Sequence, residues 1–221
     1  MKIGVFDSGK GGTTVLEEIK KVLPDDEYLY IADTKNCPYG NKGKAELLKI
    51  TSSIVEKLRD WGAKIIVVAC NTATTQCIDD LRLKYPNLAI VGTEPAVKLA
   101  AESGAKRILV MATPGTIHSE RLGNLVEENQ KRGQTIELLP CDGLAEAIEY
   151  DGGVDKLLSE LLNDVGEYDC VVLGCTHYSL IKDRIQKHFP GANVIDGNRG
   201  IAKRVLEIKK SLTIKYATIS I

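Results

Sequence analysis

Short apolar runs alternate with stretches of helical spacing along most of this chain. Residues 3–7 (IGVFD) form the first run and are closed by Ser-Gly-Lys-Gly-Gly. Beyond that turn Val15, Leu16, Ile19 and Val22 recur on one helix face, and the pattern stops before Pro24. The same strand, loop, helix order predicts strands at 28–32, 65–69 and 89–92, with a helix from about 45 to 61. A second set of strands is expected at 107–112, 135–140, 169–174 and 193–196, again with helical patterns between them. Alternation of this kind implies parallel sheets covered on both faces and right-handed crossovers.

Shifting the chain by 105 residues brings the two sets together. Ile3 then falls on Ile108, residues 65–69 on 170–174, Cys70 on Cys175, and AIVG (89–92) on VIDG (194–197). Three anchors at one offset point to an internal duplication. The expected fold is therefore α/β, with two similar lobes, each a mainly parallel sheet flanked by helices. Residues 1–97 would form the first lobe and 98–199 the second. The segment 200–221 has no counterpart and is expected to complete the first lobe, while its last stretch, TIKYATISI, is open between an edge strand, a subunit contact and a disordered tail.

Duplication makes Cys70 and Cys175 equivalent, each directly after a β-branched run and a small residue. In parallel α/β sheets ligands gather at the carboxyl ends of strands, where Asp7 also sits. If the lobes face each other, the two thiols approach one bound molecule from opposite sides. A cysteine at a helix start is favoured as thiolate by the unpaired amides there, so lowered thiol pKa values are expected. One thiolate can take a proton from carbon while a thiol on the other face returns one, inverting a stereocentre. Ser8 with the following glycines, Asn71, Thr72 and Thr176 offer amides and hydroxyls suited to a carboxylate.

Composition narrows the partner. The 221 residues are 43% hydrophobic and 27% charged, with 29 basic against 30 acidic side chains. A net charge of −1 and the lack of a basic, aromatic-interleaved stripe argue against nucleic acid and for a small molecule. The apolar runs are too short to span a bilayer, and the start MKIGVFDSG does not suit a signal peptide, so a cytoplasmic protein is expected. Six cysteines without a C-x-x-C pair then read as free thiols.

Simpler readings compete at each position. A lone buried cysteine is usually core filling, which is the reading for Cys77 and Cys170, and the pairing of Cys70 with Cys175 is what sets those two apart. Asp7 could serve as an Asx turn or helix cap, and His177 as a core histidine. Cys70, Cys175 and His177 could make three zinc ligands, but no fourth is evident, so no metal is expected. Gly4 to Lys10 fits G-x-x-x-x-G-K, yet Gly11 stands where a phosphate loop needs Ser or Thr.

Six ordered motifs, FDSGKGG (6–12), CPYG (37–40), ACNTA (69–73), GTEPA (92–96), ATPGTI (112–117) and LGCTHY (173–178), together resemble the glutamate racemases of the aspartate/glutamate racemase family. The resemblance covers roughly residues 1–200 and implies a cofactor-independent isomerase that makes D-glutamate for peptidoglycan, hence for cell-wall biogenesis and cell shape. It implies that Cys70 deprotonates D-glutamate and Cys175 L-glutamate, with Asp7 beside the first and His177 beside the second. Substrate contacts carry over to Ser8, Pro38, Tyr39, Gly40, Asn71, Thr72, Thr113, Thr116 and Thr176, and tuning roles to Asp33 and Glu149. It also implies a homodimer. The chain departs from the family pattern at Ser179, where proline is usual, at Thr13 and Thr14, and in the loosely similar stretch 141–152. An aspartate racemase and a non-catalytic, two-lobed carboxylate binder are the alternatives.

Overall fold

The computed structural model of the chain describes residues 1–219, with side chains through residue 214. In order, the first half runs β1 (Lys2–Asp7), α1 (Thr13–Val22), β2 (Glu27–Ala32), α2 (Lys44–Asp60), β3 (Ile65–Val68), α3 (Asn71–Lys84) and β4 (Ala89–Gly92). After α4 (Val97–Glu102) come β5 (Arg107–Ala112), α5 (Pro114–Ile117), α6 (Glu120–Asn129) and β6 (Thr135–Pro140). The chain continues with α7 (Leu144–Glu149), α8 (Val154–Leu162), β7 (Cys170–Leu173), α9 (Thr176–Leu180), α10 (Lys182–His188), β8 (Asn193–Ile195) and α11 (Asn198–Ile219).

The strands form two four-stranded parallel sheets with the same order, β2-β1-β3-β4 and β6-β5-β7-β8. Central strands are buried on both faces, which explains why IIVV and CVVL read as continuous apolar runs instead of alternating ones. Ile3 pairs with Ile65 and Ile108 with Cys170, so the duplication holds at the level of register. The third anchor needs correction by one residue. Ile65 pairs with Ala89 whereas Cys170 pairs with Asn193, so AIVG matches NVID, and not VIDG. Matching the glycines misled the alignment: Tyr85 and Phe189, which end α3 and α10, are the better landmarks.

Each sheet has an apolar layer on both sides. In the first lobe α2 and α3 cover one face through Leu47, Val55, Leu58, Cys77 and Leu81. The other face meets α1 through Val15 and Ile19, and α11 through Ala202 and Val205. In the second lobe α7 to α10 cover one face and α4 with α6 the other. The chain therefore crosses between lobes twice, once between β4 and α4 and once between β8 and α11. Lys209 on α11 reaches the buried Asp26 carboxylate at 2.7 Å, where the N-terminal ammonium also binds. The terminal stretch is helical through Ile219, and its side chains from 215 on and residues 220–221 lie outside the described residues. Among the described residues no helix is long and apolar enough to cross a membrane.

Candidate active site

The carboxyl ends of β1, β3, β5 and β7 bring the chemistry to the interface between the lobes. Asp7 ends β1, Cys70 caps α3 two residues after β3, and Cys175 caps α9 two residues after β7. Asp7 is fully buried, and Cys70 and Cys175 are 5% and 7% exposed, so the site is closed over its reacting groups. The two cysteines belong to different apolar clusters, Cys70 with Tyr39 and Ala73, and Cys175 with Leu173 and Tyr178. Each sulfur nevertheless lies within the electrostatic reach of Asp7, and Cys175 within that of Cys70.

Asp7 ties the lobes together. Its Oδ2 accepts the Gly12 backbone N–H at 2.8 Å and the Thr176 hydroxyl, from the opposite lobe, at 3.1 Å. Burial raises the Asp7 carboxyl above its ordinary value of 3.8, against the opposing pull of His177 and these hydrogen bonds. The Cys70 sulfur stands 4.0 Å from the Ser8 hydroxyl. Cys175 has a different backing: its sulfur is 3.9 Å from His177 Nδ1, and His177 Nε2 is 2.8 Å from the Glu149 carboxylate. With Nε2–H given to Glu149, Nδ1 is left as the acceptor facing the Cys175 thiol. Glu149 also accepts the Lys10 backbone N–H at 2.8 Å, which joins α7 to the first-lobe glycine loop.

The expected lowering of the thiol pKa values is reversed. Backbone amides of Thr72 and Ala73 do point at Cys70, and those of His177 and Tyr178 at Cys175. Burial outweighs them: it pushes Cys70 up to about 12 and Cys175 well above the ordinary 9.0, helped by the nearby acidic charges. Raised this far, both thiols hold their protons at neutral pH.

The remaining candidates form the walls. Thr72 from the first lobe and Thr113 and Thr116 from the second make one hydroxyl cluster, with Thr72 Oγ1 2.8 Å from Thr113 Oγ1 and 3.3 Å from Thr116 Oγ1. Gly40 packs against Thr113, and Pro38 follows a cis peptide bond from Cys37. Tyr39 is buried and donates its hydroxyl to Asp33 at 2.7 Å, so Asp33 bears on the site through Tyr39 and not by touching a thiol. Asn71 Oδ1 is buried with no hydrogen-bond partner, an acceptor left open next to Cys70. A surface depression of about 870 Å³ adjoins this wall through Gly40, Thr75, Gln76 and Gly115, and neither Cys70 nor Cys175 lines it.

Two close approaches depend on glycine. A Cβ at Gly11 would lie 2.6 Å from the His177 backbone nitrogen, and one at Gly115 would lie 2.6 Å from the Gly40 carbonyl oxygen. Each glycine admits backbone of the opposite lobe. Tyr30, which donates to the Gly9 carbonyl at 2.5 Å and so holds the glycine loop, was not singled out from sequence; its position on the face of β2 shared with Tyr28 is the only signal. The metal set considered from sequence does not converge. Among the described residues the group that gathers ligand atoms is Cys37, Glu149 and His177.

Residues 4–205 match the family described as Asp/Glu/Hydantoin racemase. The chain belongs to that family. The glutamate racemase of Clostridium acetobutylicum is 42% identical over 99% of this chain and 86% of its own length. That of Campylobacter curvus is 40% identical over 98% of this chain and 86% of its own length. The crystal structure of Escherichia coli glutamate racemase, in complex with L-glutamate and the activator UDP-MurNAc-Ala, superposes with a TM-score of 0.84 at 32% identity, covering 93% of this chain and 80% of that one. Family membership makes the chain an amino-acid racemase, an isomerase.

Proposed function

We propose that this chain interconverts L- and D-glutamate by two-base proton transfer at Cα, without a cofactor, and so supplies D-glutamate for peptidoglycan. The observation carrying this reading is the pair of cysteines at equivalent strand ends of two duplicated lobes, each capping a helix and both in reach of Asp7. From L-glutamate, His177 Nδ1 takes the Cys175 proton, the thiolate removes the Cα hydrogen, and the Cys70 thiol protonates the opposite face. From D-glutamate the roles reverse, with Asp7 taking the Cys70 proton. The raised Asp7 carboxyl suits that role, since a carboxylate held short of easy ionisation is a stronger base.

Substrate recognition follows from the walls. The hydroxyls of Ser8, Thr72, Thr113, Thr116 and Thr176 and the glycine-loop amides donate to carboxylates, and the open Asn71 Oδ1 accepts from the substrate ammonium. The active unit is a cytoplasmic homodimer in this reading. Six free thiols, five of them buried, suit a reducing compartment.

The test uses purified protein with either enantiomer. Cys70→Ala and Cys175→Ala should each lower racemisation about 10²–10⁴-fold, the range for losing a general acid or base, while unfolding near the wild-type temperature. Aspartate, one methylene shorter, should turn over more slowly than glutamate. Wild-type racemisation by either alanine variant would contradict the two-base reading.

A further inference from the structure

Cys37 has no part in the proton transfers above, yet it does not sit apart from the site. A ligand atom from each of Cys37, Glu149 and His177 lies within 4.8 Å of the other two. The three come from separate places: the loop between β2 and α2 in the first lobe, the last residue of α7, and α9 in the second lobe. The Glu149 and His177 side chains are 5% and 1% exposed, while Cys37 is half-buried and leaves an approach from solvent. Burial, helped by the negative field of Glu149 and Asp7, pushes the Cys37 thiol up to about 12.

We propose that Cys37, Glu149 and His177 form a binding site for a thiophilic divalent cation of the zinc class, inhibitory when filled. The chemistry of the donors selects the ion. One thiolate, one carboxylate and one neutral imidazole cancel a charge of +2, which makes a neutral complex in a buried place. Magnesium and calcium prefer all-oxygen shells and do not suit a thiolate with an imidazole. Three protein ligands leave the fourth tetrahedral position to water. Binding replaces the Cys37 S–H bond with a metal–sulfur bond and releases that proton to solvent, with no change of oxidation state.

Inhibition follows from where the ligands already point. Glu149 faces His177 Nε2 at 2.8 Å, so an ion entering on that side takes Nε2 and leaves the ring proton on Nδ1. Nδ1 faces the Cys175 sulfur at 3.9 Å and can then no longer accept its proton. The inhibitory half of this inference rests on the proposed racemase mechanism; the binding half does not.

Cobalt(II) separates the two halves, because thiolate ligation gives a near-ultraviolet charge-transfer band that is read without turnover. The wild-type protein should bind one equivalent of cobalt with that band, and zinc should displace it. Cys37→Ser should lose the band while unfolding and racemising like wild type, and Cys175→Ala should keep it. Zinc should inhibit Cys37→Ser at least tenfold more weakly than wild type, and Cys37→Ala should behave as Cys37→Ser does. A band that persists in Cys37→Ser, or vanishes in Cys175→Ala, would overturn the site. Equal zinc inhibition of wild type and Cys37→Ser would overturn its inhibitory role. Cobalt bound through Cys37 in a protein without racemase activity would sustain the site and refute the functional reading instead.

Discussion

In the proposed mechanism Cys70 and Cys175 do the same job, and the structure gives them different supports. Behind Cys175 stand His177 and then Glu149, an imidazole held in one tautomer by a carboxylate. Behind Cys70 stand Ser8 and the buried Asp7. Asp7 is the costly member, because its charge is taken out of water and only part of the loss is returned by Gly12 and Thr176. The sign of its linkage to folding follows from the raised pKa. As pH climbs past 3.8 the unfolded chain releases this proton while the folded one retains it, so the stability contributed by the neutral carboxyl is lost between 3.8 and the raised folded value. Asp7→Asn keeps an acceptor for Gly12, offers Thr176 an amide N–H in place of the carboxylate oxygen to which its hydroxyl donates, and carries no charge. It should melt above wild type at pH 7, with the gap closing as pH falls toward 4, and it should racemise far more slowly. An Asn variant that melts below wild type at pH 7 would contradict a net cost of burying this charge.

At the scale of elements, the loops matter more for where they allow approach than for what they contact. Gly11 lets α9 of the second lobe come against the glycine loop of the first, and its Cβ would meet the Thr176 side chain at 2.7 Å as well as His177 backbone. Backbone cannot yield as a side-chain tip can, so Gly11→Ala must part the lobes by several tenths of an ångström. Misplacing reacting groups on that scale lowers kcat/KM by roughly tenfold or more. Because the two enantiomers have equal free energy in water, kcat/KM must fall by the same factor in both directions. Wild-type values in either direction would show that the approach is not needed. This level was only partly legible in the sequence. Strand ends were readable because IIVV and CVVL are continuous apolar runs that stop at a small residue and a cysteine. The meeting of Glu149 with His177 was not, since it depends on how α7 packs against α9 within the second lobe, and the approach of Cys37 to both depends on how the first lobe closes on the second; no local pattern records either. The sign of the thiol shifts was missed for a related reason: a helix start is visible in sequence, whereas complete burial beneath a second lobe is not.

For the whole molecule, closure has a thermodynamic signature at high pH. The unfolded chain ionises its cysteines near 9.0, whereas burial holds Cys37, Cys70 and Cys141 at about 12 and Cys77 and Cys170 at about 11. Folded protein therefore binds more protons than unfolded protein across that interval, and stability must fall as pH rises through it. The urea midpoint should be nearly flat from pH 7 to 8 and drop steeply above 9, and a flat midpoint through pH 10.5 would contradict thiols held protonated by burial. The duplicated architecture was the most legible part of the sequence, because register and strand order repeat even where helices and loops do not.

The central claim is that separate groups remove and deliver the Cα proton. Early in a reaction started from L-glutamate in deuterium oxide, each D-glutamate formed should carry one deuterium at Cα while the remaining L-glutamate stays protiated, and the mirror result should hold from D-glutamate. Transfer of the substrate's own hydrogen into product, or deuterium entering the starting pool ahead of inversion, would contradict the account.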